Sequence, residues 1–237
     1  MEKVHIGHHI SQQFNQELEE IRSRMLAMGG LVEQQLADAL TALTEGNSEL
    51  ADRVITGDFR VNAMEVSIDE ECNRVLARRQ PAASDLRLIV AVIKTITDLE
   101  RIGDQAVRVA RMSLRLTRSN ADRLPYSSLR NLGERVRQQL HDTLDAYARM
   151  DTEAAVQIAR ADLQIDRDYD ALSRELITFM MEDPRTITWA LDVMWSARAL
   201  ERIGDHARNI CEYLIYLVKG KDVRHVSLEQ MEAEARK

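Results

Sequence analysis

Residues that interrupt helices are scarce in this sequence. Its 237 residues include only three prolines and nine glycines, and 4% of them are aromatic. Sheet proteins need glycine- and proline-rich turns between short strands and are enriched in aromatic and β-branched residues, so this composition argues against a sheet-based fold. The sequence therefore predicts an all-α protein, long enough to bury a substantial core.

Cysteines and long apolar runs are also lacking. The two cysteines, Cys72 and Cys211, form neither a disulfide framework nor a zinc-binding pattern. No run approaches the ~18 apolar residues of a membrane-spanning helix, and no signal-peptide pattern opens the sequence. The net charge of −7 comes from intermixed acidic and basic residues, which gives no indication of a nucleic-acid partner. We expect a soluble, reduced, cytoplasmic protein.

Apolar residues instead recur every three or four positions in six segments of roughly 30 residues each. In the first segment the stripe runs from Phe14 through Ile21 and Val32 to Leu43. Turn-forming residues such as Gly46-Asn47 and Met150-Asp151, together with the three prolines, separate the segments. A spacing near 3.5 residues is typical of long antiparallel helices that cross at shallow angles.

The pattern occurs twice along the chain. Gln34-Gln35-Leu36 returns as Gln138-Gln139-Leu140, 104 residues later (138 − 34), and Glu-Arg-Ile-Gly-Asp at 100–104 returns at 201–205. Such a duplication predicts two repeated three-helix bundles, six long helices in all, packed with pseudo-twofold symmetry. The predicted divisions are a flexible N-terminus at 1–9, bundles at 10–119 and 120–220, and a C-terminal tail at 221–237.

Acidic residues occupy positions on or beside the apolar stripes. On the third and sixth segments a Glu and an Asp are four residues apart, which places them on one helix face, and a similar acidic pair occurs on the second and fifth segments. Eight side chains make up these pairs: Asp58, Asn62, Glu100 and Asp104 in the first repeat, and Asp162, Asp166, Glu201 and Asp205 in the second.

Several carboxylates that lie together near a core repel one another and are costly to bury unless something neutralises them. Pairing with a nearby arginine is one solution, and Arg101, Arg108, Arg202 and Arg208 are the candidates. Exposure at a solvated edge is the second, and a bound cation the third. Oxygen donors on adjacent helices suit Mg²⁺, Mn²⁺, Ca²⁺ or iron rather than a structural zinc. We interpret the eight side chains as metal ligands.

Two glycines strengthen this interpretation. Gly103 and Gly204 stand between the paired carboxylates in the middle of a predicted helix, where glycine costs about 1 kcal/mol relative to alanine. They indicate close approach by another helix or by the shell of an ion. By contrast, no Glu-x-x-His pair, phosphate-binding loop or nucleophile elbow supports an enzymatic function.

The sequence around these residues resembles the PhoU family. The matching stretches are VIKTITDLERIGDQAV at 92–107, DPRTITWALDVMWSARALERIGD at 183–205 and ALERIGDHARNICEYLIYLVKGKDVRH at 199–225, and the duplicated architecture agrees over almost the whole chain. The family's acidic metal motif matches Glu100/Asp104 and Glu201/Asp205, and its partner pairs correspond to Asp58/Asn62 and Asp162/Asp166. Asn62 departs from the acidic form and lowers the ligand count of the first site.

The resemblance implies a non-enzymatic cytoplasmic regulator, often dimeric. It implies an adaptor between the phosphate transporter's ATPase subunit, PstB, and the membrane sensor kinase PhoR, which restrains phosphate uptake and the phosphate-starvation regulon. Bound Mg, Mn, Fe or Zn ions are expected, with only peripheral association with the membrane complex. Two alternatives stay open at this point: a helical scaffold with arginine-paired carboxylates and incidental metal, and a metal-dependent phosphohydrolase.

Overall fold

The chain folds into long helices, as the scarcity of proline and glycine predicts. The computed structural model describes residues 4–81, 83–118 and 126–236, and no strand occurs among them. The helices are α1 Val4–Glu45, α2 Ser48–Gly57, α3 Phe59–Arg79, α4 Ala83–Arg118, α5 Tyr126–Arg149, α6 Thr152–Glu182, α7 Ile187–Lys219 and α8 Leu228–Ala235, with a 3₁₀ turn at Pro184–Thr186 before α7. The all-α prediction is confirmed.

Helix ends in the two repeats are built alike. Asn47 caps α2 by accepting a hydrogen bond from the backbone N–H of Leu50 at 3.0 Å, and Asp151 caps α6 in the same way. Before each cap the chain adopts a positive φ, +68° at Gly46 and +55° at Met150. The turns predicted at these two places are therefore confirmed, and both copies form them with the same geometry.

Pseudo-twofold packing of the two repeats is visible at two glycines. Helices α1, α3 and α4 pack together, α5, α6 and α7 pack together, and α1 contacts α5 while α4 contacts α7. A Cβ added at Gly29 would lie 2.5 Å from Leu144 Cδ2, and one added at Gly133 would lie 2.5 Å from Leu40 Cδ2. Gly133 lies 104 positions after Gly29, and Leu144 lies 104 positions after Leu40. The same glycine–leucine contact therefore occurs twice in the α1–α5 interface, once on each side of the pseudo-twofold axis.

One predicted helix is broken in the first repeat only. The second segment was expected as a single helix, but α2 ends at Gly57 and α3 begins at Phe59, whereas α6 runs unbroken through the corresponding positions. Around Asp58 the backbone tightens, and the N–H of Val61 bonds to the carbonyl of Asp58 at 2.9 Å. Ala161 stands where the first repeat has Gly57, and alanine favours an unbroken helix by about 1 kcal/mol over glycine.

The predicted ends of the bundles also need correction. Helix α1 begins at Val4, so most of the segment predicted as flexible at 1–9 is helical. The boundary predicted at 119/120 lies outside the described residues. In the predicted tail, α8 packs on α6: Met231 and Ala235 are each 2% exposed, and the Thr152 hydroxyl donates to the carbonyl of Ala235.

Candidate functional site

The first acidic group is organised around Gly103 on α4. The amide Nε2 of Gln35, on α1, donates to Asp58 Oδ1 at 2.9 Å. A Cβ added at Gly103 would lie 3.1 Å from Gln35 Oε1 and 3.5 Å from Asp58 Oδ1. The absence of a side chain at Gly103 thus lets polar groups from α1 and from the α2–α3 junction reach the backbone of α4.

The second repeat contains the same arrangement. Gln139 Nε2, on α5, donates to Asp162 Oδ1 at 2.9 Å. A Cβ at Gly204 on α7 would lie 3.0 Å from both Asp162 Oδ1 and Gln139 Oε1. The predicted close approach at the two glycines is therefore real, and it is made by a glutamine–aspartate pair from the neighbouring helices.

Each pair leaves one buried oxygen without a partner. Gln35 is 8% and Gln139 6% exposed, and the amide Oε1 of each has no hydrogen-bond donor within reach among the described residues. A buried acceptor that lacks a partner costs about 1–3 kcal/mol. Both repeats thus present an amide oxygen, together with carboxylate oxygens, that a positive ligand would satisfy.

The remaining carboxylates lie around these pairs at different depths. Asp162 is buried; Asp58, Glu100, Asp166 and Glu201 are partly buried; and Asn62, Asp104 and Asp205 are exposed. The prediction that both members of each pair lie on or beside the packed face is therefore wrong for Asn62, Asp104 and Asp205, which lie at the solvated edges of the two acidic groups. On α4 and α7 the aspartate lies four residues after the glutamate and points outward. The buried face of a long helix shifts gradually around its axis, so the two residues differ in exposure.

Burial and mutual repulsion raise the pKa values of several of these groups. Desolvation and then the charge of Asp205 raise the pKa of Glu201 to about 7. Desolvation is also the largest cause of the raised pKa of Glu100, followed by the charges of Asp104 and Glu65. The pKa values of Asp162 and Asp205 are raised as well. The nearby arginines therefore do not fully compensate the negative charge.

The arginines are distributed unequally between the repeats. Arg198 pairs with Glu201 at 2.7 Å, and Arg208 lies 3.9 Å from Asp162. In the first repeat Thr97 and Val107 occupy the corresponding positions. Arg101, proposed as a partner for the acidic pairs, instead lies 3.6 Å from Asp98. Arginine pairing thus accounts for part of the charge neutralisation in the acidic group of the second repeat. It does not account for neutralisation in the first repeat.

No preformed chelate exists in the described part of the chain. Nowhere in it are three His, Cys, Asp or Glu side chains gathered closely enough to hold one metal ion. To hold one cation in either repeat, the exposed carboxylates Asp104 and Asp205 would have to turn inward.

Sequence reasoning missed four residues of these groups. They are Gln35, Glu65, Gln139 and Arg198. The glutamines were recognised only as markers of the repeat; their recurrence 104 residues apart, on stripe positions, was the available signal. Glu65 lies seven residues after Asp58, on the same face of its helix, and has a pKa raised by burial and by Asp69. Tyr169 stands at its position in the second repeat.

Comparisons with known proteins agree over nearly the whole chain. The model of the family described as PhoU domain matches residues 25–113 and 129–214. The phosphate-specific transport system accessory protein PhoU homolog of Pseudomonas putida is 56% identical over 232 residues, which are 98% of this chain and 91% of that protein. The phosphate-specific transport system accessory protein PhoU of Escherichia coli K12 is 50% identical over 232 residues, 98% of this chain and 96% of that protein.

Solved structures give the same result. The crystal structure of PhoU from Pseudomonas aeruginosa matches with a TM-score of 0.86 and 52% identity, over 88% of this chain and all (100%) of that one. The phosphate transport system regulatory protein PhoU from Streptococcus pneumoniae matches with a TM-score of 0.83 and 34% identity, over 89% of this chain and 99% of that one. Within the described residues, no helix has the length and apolar character needed to span a membrane.

Proposed function

This chain belongs to the PhoU family, and from that premise we propose that it is a regulatory accessory protein of a phosphate-specific transport system. The observation that carries the proposal is the extent of the match. Relatives named as accessory proteins of that system are 50–56% identical over 98% of this chain, and the acidic groups described above lie within the two matched segments.

In its finer form, the proposal is a non-enzymatic cytoplasmic homodimer that links PstB to PhoR. It attaches only peripherally to the membrane complex, does not bind nucleic acid and restrains both phosphate uptake and the phosphate-starvation regulon. An exposed apolar stripe on α7 supports a docking role. Ile187, Leu191 and Trp195 follow one another at four-residue intervals and are 41%, 42% and 63% exposed. Such a stripe on one helix face is typical of partner binding.

We also propose that each repeat holds metal. The residues present fit a cation: among the described residues a buried amide oxygen lacks a donor, a glycine leaves room beside it, and the pKa values of Glu100, Asp162, Glu201 and Asp205 are raised. The proposed ligands are Asp58, Glu100, Asp104 and Gln35, with Asn62 at the rim, in the first repeat, and Asp162, Asp166, Glu201, Asp205 and Gln139 in the second. Their oxygen atoms suit Mg, Mn or Fe, and Zn is the further candidate that the family implies.

The ion supplies positive charge that offsets repulsion between the acidic groups. Residues of the chain position the carboxylates and the helices. Gln35 and Gln139 fix one carboxylate oxygen of Asp58 and Asp162 by donating to it. The glycines let α4 and α7 approach these carboxylates. With the charges offset, α3 and α4, and likewise α6 and α7, are held at a fixed spacing for docking.

Elemental analysis of untagged protein, purified without chelator, tests the metal proposal. We expect stoichiometric metal in the wild type and its loss in the double variant Asp104→Asn/Asp205→Asn. Both side chains are exposed, so the fold should tolerate the change. The matched control is Asp52→Asn/Asp170→Asn, which alters two exposed aspartates outside the groups and should retain metal. Equal metal contents in the wild type and the Asp104/Asp205 variant would contradict the ligand assignment.

The regulatory proposal is tested in a strain that lacks its own copy of the gene and carries a reporter under a phosphate-starvation promoter. The wild-type chain should repress the reporter at high phosphate. The Asp104→Asn/Asp205→Asn variant should repress less while its circular dichroism is unchanged. Failure of the wild type to repress would refute the regulatory function. Full repression by the variant would instead separate metal binding from regulation and favour a scaffold with incidental metal.

A further inference from the structure

A second polar site lies next to the acidic group of the second repeat and shares Asp205 with it. Helix α7 and the segment that leads to α8 enclose an open cleft of about 520 Å³, lined in part by Arg202, His206, Arg208 and Arg224. Three guanidinium groups and an imidazole in one concavity are the donors that proteins use to bind oxyanions. We propose that this cleft binds a phosphate-type oxyanion.

His206 is the most constrained of these groups. Its side chain is 9% exposed, and its Nδ1 lies 2.7 Å from Oδ1 of Asp98 on α4, which is itself 2% exposed. The other ring nitrogen, Nε2, is buried and has no partner among the described residues. Asp98 thus orients the ring by accepting a hydrogen bond from Nδ1–H, and Nε2 donates to an oxyanion when the ring is the imidazolium.

Arg208 lies near two carboxylates but makes no hydrogen bond with any residue that the structure describes. Its Nη1 lies 3.9 Å from Asp162 and its Nε 3.6 Å from Glu212, both beyond hydrogen-bond length. The Nε atom is buried and unpaired among the described residues. A guanidinium in this state has donors ready for a planar or tetrahedral oxyanion, and unused buried donors are uncommon in native proteins.

Two carboxylates, Asp205 and Glu212, also line the cleft, so the positive and negative charges around it must be compared. Glu212 lies beside Arg208 at 3.6 Å, and Arg224 is held by Asp222 at 2.5 Å. Arg202 is exposed and has no ion pair within 4.0 Å among the described residues. Its permanent charge faces the cleft together with the unused Nε donor of Arg208 and, when the ring is the imidazolium, the Nε2 donor of His206. The surplus of donors lies with these three residues, so they define the oxyanion site.

This inference does not depend on the metal proposal, although Asp205 borders both sites. The test is isothermal titration of the full-length protein in EDTA with inorganic phosphate, and separately with ADP and with sulfate. We expect saturable binding of phosphate or ADP. Binding of phosphate identifies the free ion as the ligand, and binding of ADP alone identifies a phosphoryl group carried by a larger molecule.

Variants then locate the binding. Arg202→Gln and Arg208→Gln should each weaken it about tenfold, the loss expected for one charge-assisted contact. His206→Gln should weaken it as well, but this residue is buried, so the exposed Arg202 carries the test if that variant unfolds. Arg108→Gln, an exposed arginine on α4 outside the cleft, is the control and should leave binding unchanged.

Three outcomes would overturn the proposal. The first is no saturable binding of phosphate or ADP up to about 10 mM, a range that already includes very weak complexes. The second is binding that Arg202→Gln and Arg208→Gln do not change. The third is sulfate bound as tightly as phosphate and ADP with no effect of the variants, which would indicate only nonspecific anion association.

Discussion

At Gly204 a methyl group has almost no room. We predict that Gly204→Ala lowers the free energy of unfolding by about 1 kcal/mol. Alanine is favoured over glycine in a helix by about 1 kcal/mol, but its Cβ would lie 3.0 Å from Asp162 Oδ1 and Gln139 Oε1, two side chains that a hydrogen bond holds together. Overpacking of this kind costs about 1–3 kcal/mol. Urea unfolding, followed by circular dichroism, measures the change.

Gly30 provides the matched control. It is exposed on α1, and a Cβ added there meets no atom within 4 Å. Gly30→Ala should therefore stabilise the protein by about 0.5–1 kcal/mol. If Gly204→Ala raised stability as much as Gly30→Ala does, the close contact at Gly204 would not constrain the helix, and the role given to this glycine would be wrong.

Single residues also show how far the sequence predicts the site. Asp58 and Asp162 interrupt apolar stripes, so periodicity alone placed them beside the core, and the structure agrees. Gln35 and Gln139 could not be assigned from the sequence because their partners lie 23 residues away on another helix. The unpaired amide oxygens became recognisable only once the packing was known, since a sequence pattern does not show which hydrogen bonds are missing.

Among the helices, α8 is the one whose attachment is most easily tested. Met231 is 2% exposed, and among the described helices α8 contacts α6 and α7 alone. Met231→Ala should cost about 2 kcal/mol, the lower end for loss of a buried methionine side chain. The fraction of molecules in which α8 is detached while the bundles stay folded should therefore rise about thirtyfold. Trypsin cleavage near Lys221 and Arg224 should accelerate accordingly, as measured by mass spectrometry.

Glu229→Gln is the control for this element, because Glu229 is exposed on the same helix and its substitution removes no buried surface. Trypsin should cleave the C-terminal segment of the Glu229→Gln variant at close to the wild-type rate. Equal cleavage of the Met231→Ala and Glu229→Gln variants would mean that α8 is not held by its buried face.

The length of an element decides whether its sequence reveals it. Six long apolar stripes correctly predicted three long helices in the second repeat and the turns at Gly46-Asn47 and Met150-Asp151. Helix α8 has 8 residues, two helical turns, too few for a periodicity to emerge from a charged tail. The break between α2 and α3 was missed for a similar reason: one unfavourable residue, Gly57, changes the local backbone without changing the stripe on either side of it.

For the whole molecule, the raised carboxylate pKa values predict a pH dependence of stability in the metal-free protein. The pKa of Glu201 is about 7, against an ordinary value of 4.5. Between these values the folded protein holds a proton that the unfolded chain releases, so stability falls as pH rises through this range. Glu100, Asp162 and Asp205 act in the same direction. Urea midpoints measured in EDTA should be higher at pH 5.5 than at pH 8.

Glu201→Gln removes the largest of these contributions. The variant should be more stable than the wild type at pH 8 and should show a flatter dependence between pH 5.5 and pH 8. Its neighbour Arg198 is 48% exposed, so the loss of its partner should cost little. A wild-type midpoint that did not change with pH in EDTA would show that these carboxylates are already neutralised by other groups.

The near-symmetry of the two repeats has a consequence for orientation. Two separate copies of one three-helix unit would present identical ends, and a partner could bind either. Here both units belong to one chain, so each has been free to change alone. Asn62 is equivalent in position to Asp166, Glu65 to Tyr169, and Thr97 to Arg198. The acidic groups of the two repeats therefore differ in charge, so a ligand that binds one repeat need not bind the other.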